Sequence, residues 1–209
     1  MVRDERMTNV AEGVTPGVDD SRPDDSGRGH VPGDSSMWFF VIGDLLIFGV
    51  YFVGYMYFRG RNHELFLQSQ ARLNLDIGAI NTVMLLTSSL FVALGTEAAR
   101  AGDRVAALQR FWIALAFGAA FPLLKMFEWI PEIRSGLTPG TNLFFMYYYV
   151  MTGMHLCHVA LGLVIMCFIL RNLKASKAPK ISFIETGATY WHMVDVLWIV
   201  LFALLYLMR

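Results

Sequence analysis

The chain contains five long apolar segments, and their length restricts its fold more than any other feature. A helix of about 20 residues crosses the hydrocarbon core of a bilayer, and backbone amides in lipid must find hydrogen-bond partners within the protein. The sequence therefore predicts an all-α integral membrane protein, in which residues 37–209 form a bundle of five transmembrane helices. The predicted helices are 37–58, 77–95, 111–130, 143–170 and 188–208.

Composition supports a membrane protein and excludes a nucleic-acid-binding one. Charged residues make up 16% of the chain, whereas soluble domains carry about 25%. The net charge is zero, so the basic surface that a nucleic acid requires is missing. Cys157 and Cys167 share one apolar segment and lie about 15 Å apart along a helix. That separation is too large for a disulfide, so we interpret both as small buried apolar residues.

Residues 1–36 differ from the rest of the chain. They hold eight acidic residues and four arginines, many Gly, Pro and Ser, and no apolar periodicity. We predict a disordered acidic tail. Lys and Arg in the flanks set orientation. The tail and the loops after the second and fourth segments carry eleven, against five on the other side. We therefore predict a multi-pass protein of a bacterial-type inner membrane, with its N-terminus cytoplasmic and its C-terminus external.

Four ionisable side chains interrupt the apolar segments at similar depth. With a rise of about 1.5 Å per residue, Asp44, His158, His192 and Asp195 fall in one layer of the inner half of the bilayer. A charge at mid-membrane costs about 2.5–3.5 kcal/mol on insertion scales, so these groups need partners or a function. Two interpretations stay open: a proton-handling or metal-binding cluster, and hydrogen bonds that fix helix packing. The Glu-x-x-His motifs of di-iron bundles are missing, so we assign no metal ligands.

Other polar and small residues in the segments favour packing. His155 lies three residues before His158, and Gly153 and Gly162 on the same segment allow close helix approach. For Asp44 alone, function or assembly is as well supported as packing.

Two further pairs are interpreted as structural. Lys125 and Glu128 are spaced to pair with each other on one helix. Ser88 and Ser89 are expected at close helix contacts. No pattern of a catalytic triad or phosphate loop is present, so we assign no catalytic residue.

Four motifs occur in the order of a known family. They are NTVMLLTSSLFVAL, FPLLKMFEW, YYVMTGMHLCHVALG and YWHMVDVLWIVLF. With these motifs, the chain from about residue 37 to 209 resembles the haem–copper oxidase subunit III family, that is, cytochrome c oxidase subunit III.

The resemblance implies a non-redox accessory subunit. Such a subunit binds no haem or copper, packs beside the catalytic subunit that carries them, and supports its stability and proton uptake. It implies that His192 and Asp195 are held by neighbouring helices, with Asp195 placed against His158. It also implies a bound phospholipid, and Asp44 is a candidate to bind its head group or to buffer protons.

Two departures from the family pattern affect the expected partner. The large members have seven helices, and the pair missing here builds one wall of a lipid cleft. In FVIGDLLIFG, Asp44 stands where the family usually has a glutamate. Both features resemble the NorE-type accessory proteins associated with nitric oxide reductase, so the partner is expected to be an oxidase or a nitric oxide reductase.

Two functions of other classes remain as alternatives. A membrane b-type cytochrome would use His155 or His158, together with His192, as axial haem ligands. A small ion transporter would use the polar layer as its ion site, although the inverted repeat expected of transporters is missing.

Overall fold

The structure is a computed structural model that describes residues 35–175 and 179–208, and within these ranges the chain forms helices and no strand. Five helices are long and apolar enough to cross a membrane, which confirms the predicted all-α fold with five spans. The predicted disordered tail lies outside the described residues except for its last two, which begin the first helix. The helices are α1 (Ser35–Arg61), α2 (His63–Gln70), α3 (Leu75–Arg100), α4 (Arg104–Arg134), α5 (Leu143–Ala175) and α6 (Ile181–Phe202), which continues into a π-helical turn (Ala203–Leu207).

The helices extend beyond the apolar segments because polar residues continue and cap them. Asn74 begins α3 by accepting hydrogen bonds from the amides of Asp76 and Ile77, and Asp103 caps α4 in the same way. Gly102, with φ of +79°, makes the tight turn between α3 and α4. Apolar length therefore marks the thickness of the lipid rather than the ends of the helices.

The short helix α2 was not predicted, because its sequence HELFLQSQ has no long apolar run. Its Phe66 is fully buried. The Phe66 ring packs edge-to-face against Tyr55 of α1 and Phe144 of α5. Packing onto these helices, rather than its own sequence pattern, thus holds α2 in place.

Helix α6 lies at the centre of the bundle. In its most apolar stretch 61% of residues are buried, against 17% in α1. It packs against α1, α3 and α5. The contacts of Gly187 with Ile165 and of Gly162 with Trp191 show that α5 and α6 are antiparallel.

One large side chain joins three helices at mid-bundle. The Trp191 ring of α6 lies between Gly118 of α4 and Gly162 of α5. A Cβ atom built on Gly118 would lie 2.8 Å from this ring, and one on Gly162 would lie 2.6 Å from it. Both glycines are therefore required by the close approach of the indole.

Candidate functional site

Asp44 of α1 and His158 of α5 form a pair. The Nε2 atom of His158 lies 3.5 Å from a carboxyl oxygen of Asp44, and each side chain is 21% exposed. Nδ1 lies 2.8 Å from the carbonyl oxygen of Met154. Because that oxygen can only accept, Nδ1 carries a hydrogen. Nε2 is then the ring nitrogen that faces the Asp44 carboxyl.

His192 and Asp195 lie at a different interface, between α6 and α3. Nδ1 of His192 is 2.6 Å from the hydroxyl oxygen of Ser89. The same hydroxyl lies against the Asp195 carboxyl. Asp195 is 4% exposed, and within the described residues neither of its oxygens has a hydrogen bond of regular geometry. A serine has one hydroxyl proton. When Ser89 donates that proton to His192, the Asp195 carboxyl receives no hydrogen bond from Ser89.

The structure therefore divides the four predicted layer residues between two interfaces. Our expectation that Asp195 packs against His158 was wrong, because His158 faces α1 and Asp195 faces α3. The reason is helix rotation: depth follows from the number of residues along a span, whereas the direction of a side chain follows from packing.

The axial histidines proposed for a b-type cytochrome do not face one another. His158 faces Asp44, His192 faces Ser89, and His155 packs on Phe121 and Trp198, at ring-centroid distances of 5.5 and 5.2 Å. Among residues 35–175 and 179–208, no group of three or more His, Cys, Asp and Glu side chains is arranged to hold a metal ion.

His155 is fully buried, and in the described part of the chain neither of its ring nitrogens has a hydrogen-bond partner. It thus packs as an aromatic side chain. Of the two glycines expected near it, only Gly162 makes a close approach. A Cβ on Gly153 would lie 3.8 Å from Trp129, an ordinary contact.

Lys125 and Glu128 lie at the centre of a buried polar network. The ammonium group donates to Glu128 at 2.8 Å, to the Tyr206 hydroxyl at 2.7 Å and to the Tyr148 hydroxyl at 3.1 Å. Tyr206 in turn donates to the other Glu128 oxygen at 2.6 Å. All three donors of the lysine are therefore used, and the network joins α4, α5 and the π-helical turn after α6.

The tyrosines of this network were not predicted from the sequence. Tyr148 lies among consecutive aromatic residues of the fourth apolar segment, and Tyr206 lies near the end of the last span. The sequence carried one signal for further partners, which was Lys125. Its ammonium group has three donors, and one carboxylate on the same helix does not readily accept all of them.

The two serines of α3 contact different helices. Ser88 is fully buried and donates to the Ala114 carbonyl of α4 at 2.8 Å, whereas Ser89 contacts α6 as described above. Near the end of α3, Arg100 pairs with Glu185 of α6 at 2.7 Å. The α3–α6 interface is thus polar from Ser89 to Arg100.

Comparison with known proteins covers nearly the whole described region. A sequence model of the family described as cytochrome c oxidase subunit III matches residues 34–209. Cytochrome c oxidase subunit 3 of Thermostichus vulcanus is 36% identical over 172 residues, which are 81% of this chain and 84% of the relative. The protein of the same name from a Synechocystis species is 33% identical, over 81% of this chain and 72% of the relative.

A third relative has a longer chain. The heme-copper oxidase subunit I+III of Aeropyrum pernix is 27% identical over 183 residues, which are 83% of this chain and 22% of the relative. The names of all three relatives favour an oxidase over the NorE-type branch that we considered.

Proposed function

The chain belongs to the cytochrome c oxidase subunit III family, and on this basis we propose that it packs beside the catalytic subunit of a haem–copper oxidase, stabilises that subunit during turnover and supports its uptake of protons. Subunit III is a non-catalytic subunit without a redox cofactor of its own. The haem and copper of the reaction would therefore lie in the partner.

The observation that carries the proposal is the extent of the family match, residues 34–209, which includes all five spans. The Aeropyrum pernix relative adds support, because its name places subunits I and III in one polypeptide. Direct packing of the two subunits is the simplest arrangement consistent with such a fusion.

The internal contacts fit a structural subunit. The charged pair Lys125–Glu128 is buried and fully partnered, and Trp191 fixes the spacing of three helices. Such a bundle presents a rigid apolar surface to a neighbouring membrane protein.

The test is purification of the tagged chain from native membranes in mild detergent, with an optical spectrum and mass-spectrometric identification of the proteins that co-purify. The untagged strain is the control for nonspecific capture. We expect a haem–copper oxidase catalytic subunit and its haem absorption. A chain that purifies alone and colourless would contradict the proposal, and a haem spectrum from the chain alone would contradict the statement about cofactors.

We also propose the orientation and the membrane. The excess of Lys and Arg at one end of the bundle supports a cytoplasmic N-terminus in a bacterial-type inner membrane. That end contains Arg100 and Arg104 of the α3–α4 turn, and Arg104 donates to the carbonyls of Leu173 and Lys174 at the end of α5. A thiol reagent that does not cross membranes, applied to sealed vesicles of each orientation, tests this with a single cysteine introduced by Ala101→Cys after Cys157 and Cys167 are replaced by alanine. Modification from the external side would contradict the proposed orientation.

A further inference from the structure

A polar pocket of about 240 Å³ lies between α3 and α6, at the end of the bundle where α3 ends and α6 begins. We call it the α3–α6 pocket; its lining residues are Ala93, Thr96, Arg100, Glu185, Ala188, Thr189 and His192. The ion pair of Arg100 with Glu185 lies in this lining, and Arg100 is half exposed. A volume of this size holds several water molecules.

The pocket leads to a buried acid. His192 is part of its wall and bonds through Nδ1 to Ser89. Ser89 lies against Asp195, which is nine-tenths buried and has no regular hydrogen bond within the described residues. An isolated carboxylate in such a place is costly, whereas the neutral acid is much less so. From the end of the bundle inward, the polar lining of the pocket is therefore followed by the His192 ring, the Ser89 hydroxyl and the Asp195 carboxyl.

We propose that the α3–α6 pocket is a water-filled inlet through which Asp195 binds a proton from the aqueous phase, with His192 and Ser89 as the relay. This inference does not depend on the identity of the catalytic partner. It gives His192 and Asp195 of the last helix a function in this chain itself.

The relay moves one proton and no electrons. His192 takes a proton at Nε2 from pocket water, which is re-protonated from the aqueous phase, and Nδ1 then gives its own proton to the Ser89 oxygen. The hydroxyl proton of Ser89 passes to the Asp195 carboxylate, which becomes a carboxylic acid, and His192 returns to the neutral form. Among the described residues, the titratable or charged groups that line the pocket are Arg100 on α3 and Glu185 and His192 on α6, and none of these lining residues belongs to α4 or α5.

The first test measures water in the pocket by cysteine accessibility in membranes. Cys157 and Cys167 are exposed, so our prediction that they are buried was wrong, and both are first replaced by alanine. Single cysteines are then introduced by Thr189→Cys on α6 and Ala93→Cys on α3, so that the result does not depend on one variant folding. A charged methanethiosulfonate that does not cross membranes is applied from each side.

The control is a cysteine at the same depth on the lipid-facing surface. Val164 of α5 is 51% exposed. It lies between Gly162, which contacts Trp191, and Ile165, which contacts Gly187, so it is level with residues 187–191 of α6. Val164→Cys therefore differs from Thr189→Cys in its surroundings and not in its depth.

A thiol reacts as the thiolate, which an apolar environment suppresses. We expect both pocket cysteines to react at least about tenfold faster than the control, from one side only. Equal rates at all three positions would overturn the inlet, since a pocket filled by lipid or closed by packing gives that result.

The second test follows the proton on Asp195. In the purified full chain, infrared spectra before and after transfer to heavy water report the carbonyl band of protonated carboxyl groups. We expect the Asp195→Asn variant to lose one band that shifts with deuterium, and Ser89→Ala to keep the band but to exchange it more slowly. Spectra of Asp195→Asn that match those of the parent chain would overturn Asp195 as the proton acceptor. An unchanged exchange rate in Ser89→Ala would overturn the relay.

Discussion

Replacing Gly162 with alanine is expected to destabilise the bundle, whereas the same replacement at Gly153 of the same helix is not. The added methyl at position 162 would lie 2.6 Å from the Trp191 ring. The ring cannot shift away, because its opposite edge meets Gly118, where a Cβ would lie 2.8 Å from it. At position 153 the methyl would meet Trp129 at 3.8 Å, an ordinary contact.

The magnitude follows from two opposing effects. Overpacking of a filled core costs about 1–3 kcal/mol, and replacing a helical glycine by alanine gains at most about 1 kcal/mol. Set against a gain of about 1 kcal/mol, the overpacking leaves Gly162→Ala less stable by about 0–2 kcal/mol, whereas Gly153→Ala, which has only the gain, is neutral or more stable by up to about 1 kcal/mol. A difference of about 1–3 kcal/mol between the variants changes the unfolding constant roughly 5- to 150-fold.

Reversible unfolding of the purified chain, by titrating SDS into mild-detergent micelles and following tryptophan fluorescence, measures this difference. Adding Trp191→Leu to Gly162→Ala removes the clash, so the double variant should lose less than the sum of the single losses. Equal stabilities of the two glycine variants, or additive losses in the double variant, would refute the close approach of α5, α6 and α4 around the indole.

Three further predictions concern polar groups. Lys125→Met should cost about 3–5 kcal/mol in the same unfolding assay, because Glu128 is left buried without its cation. The variant that also carries Glu128→Leu should lose less stability. A double variant as unstable as Lys125→Met alone would contradict this. Ser88→Ala should cost about 0.6 kcal/mol, and at most about 1.7 kcal/mol, because it removes a bond between α3 and α4. Thr87→Ala is its control, since the Thr87 hydroxyl bonds the Val83 carbonyl of its own helix, and equal losses would refute the assignment. Asp44→Asn should lower proton pumping or the bound phospholipid of the purified complex if Asp44 has a function, and unchanged values of both would leave it as a packing residue.

The number and type of the spans could be predicted, because hydropathy over about 20 residues is a local property of the sequence. The contact of Lys125 with Glu128 was also local, since residues three apart on a helix are neighbours. The polar helix α2 had no such signal, and only its packing on Tyr55 and Phe144 accounts for it.

Side-chain direction across helices was not predictable in the same way. The depth of Asp44 and Asp195 follows from the rise per residue. Which helix each carboxyl faces depends on rotation about the helix axis, and large residues such as Trp191 fix that rotation. A rotation of one residue position, about 100°, is enough to move a carboxyl from one interface to the next.

The Lys125–Glu128 network and Asp195 are buried in different ways, and the difference bears on function. Lys125 and Glu128 use their donors and acceptors within the network, and side chains of three helical elements are needed to do so. Such a group is expensive to disturb and has no capacity left to exchange protons. Asp195 is almost as deeply buried, has no hydrogen bond of regular geometry within the described residues, and lies behind the pocket at the end of the bundle where α3 ends and α6 begins. Since a buried polar group without a partner requires an explanation in function or bound water, proton exchange is expected at the α3–α6 interface rather than at the more conspicuous ion pair.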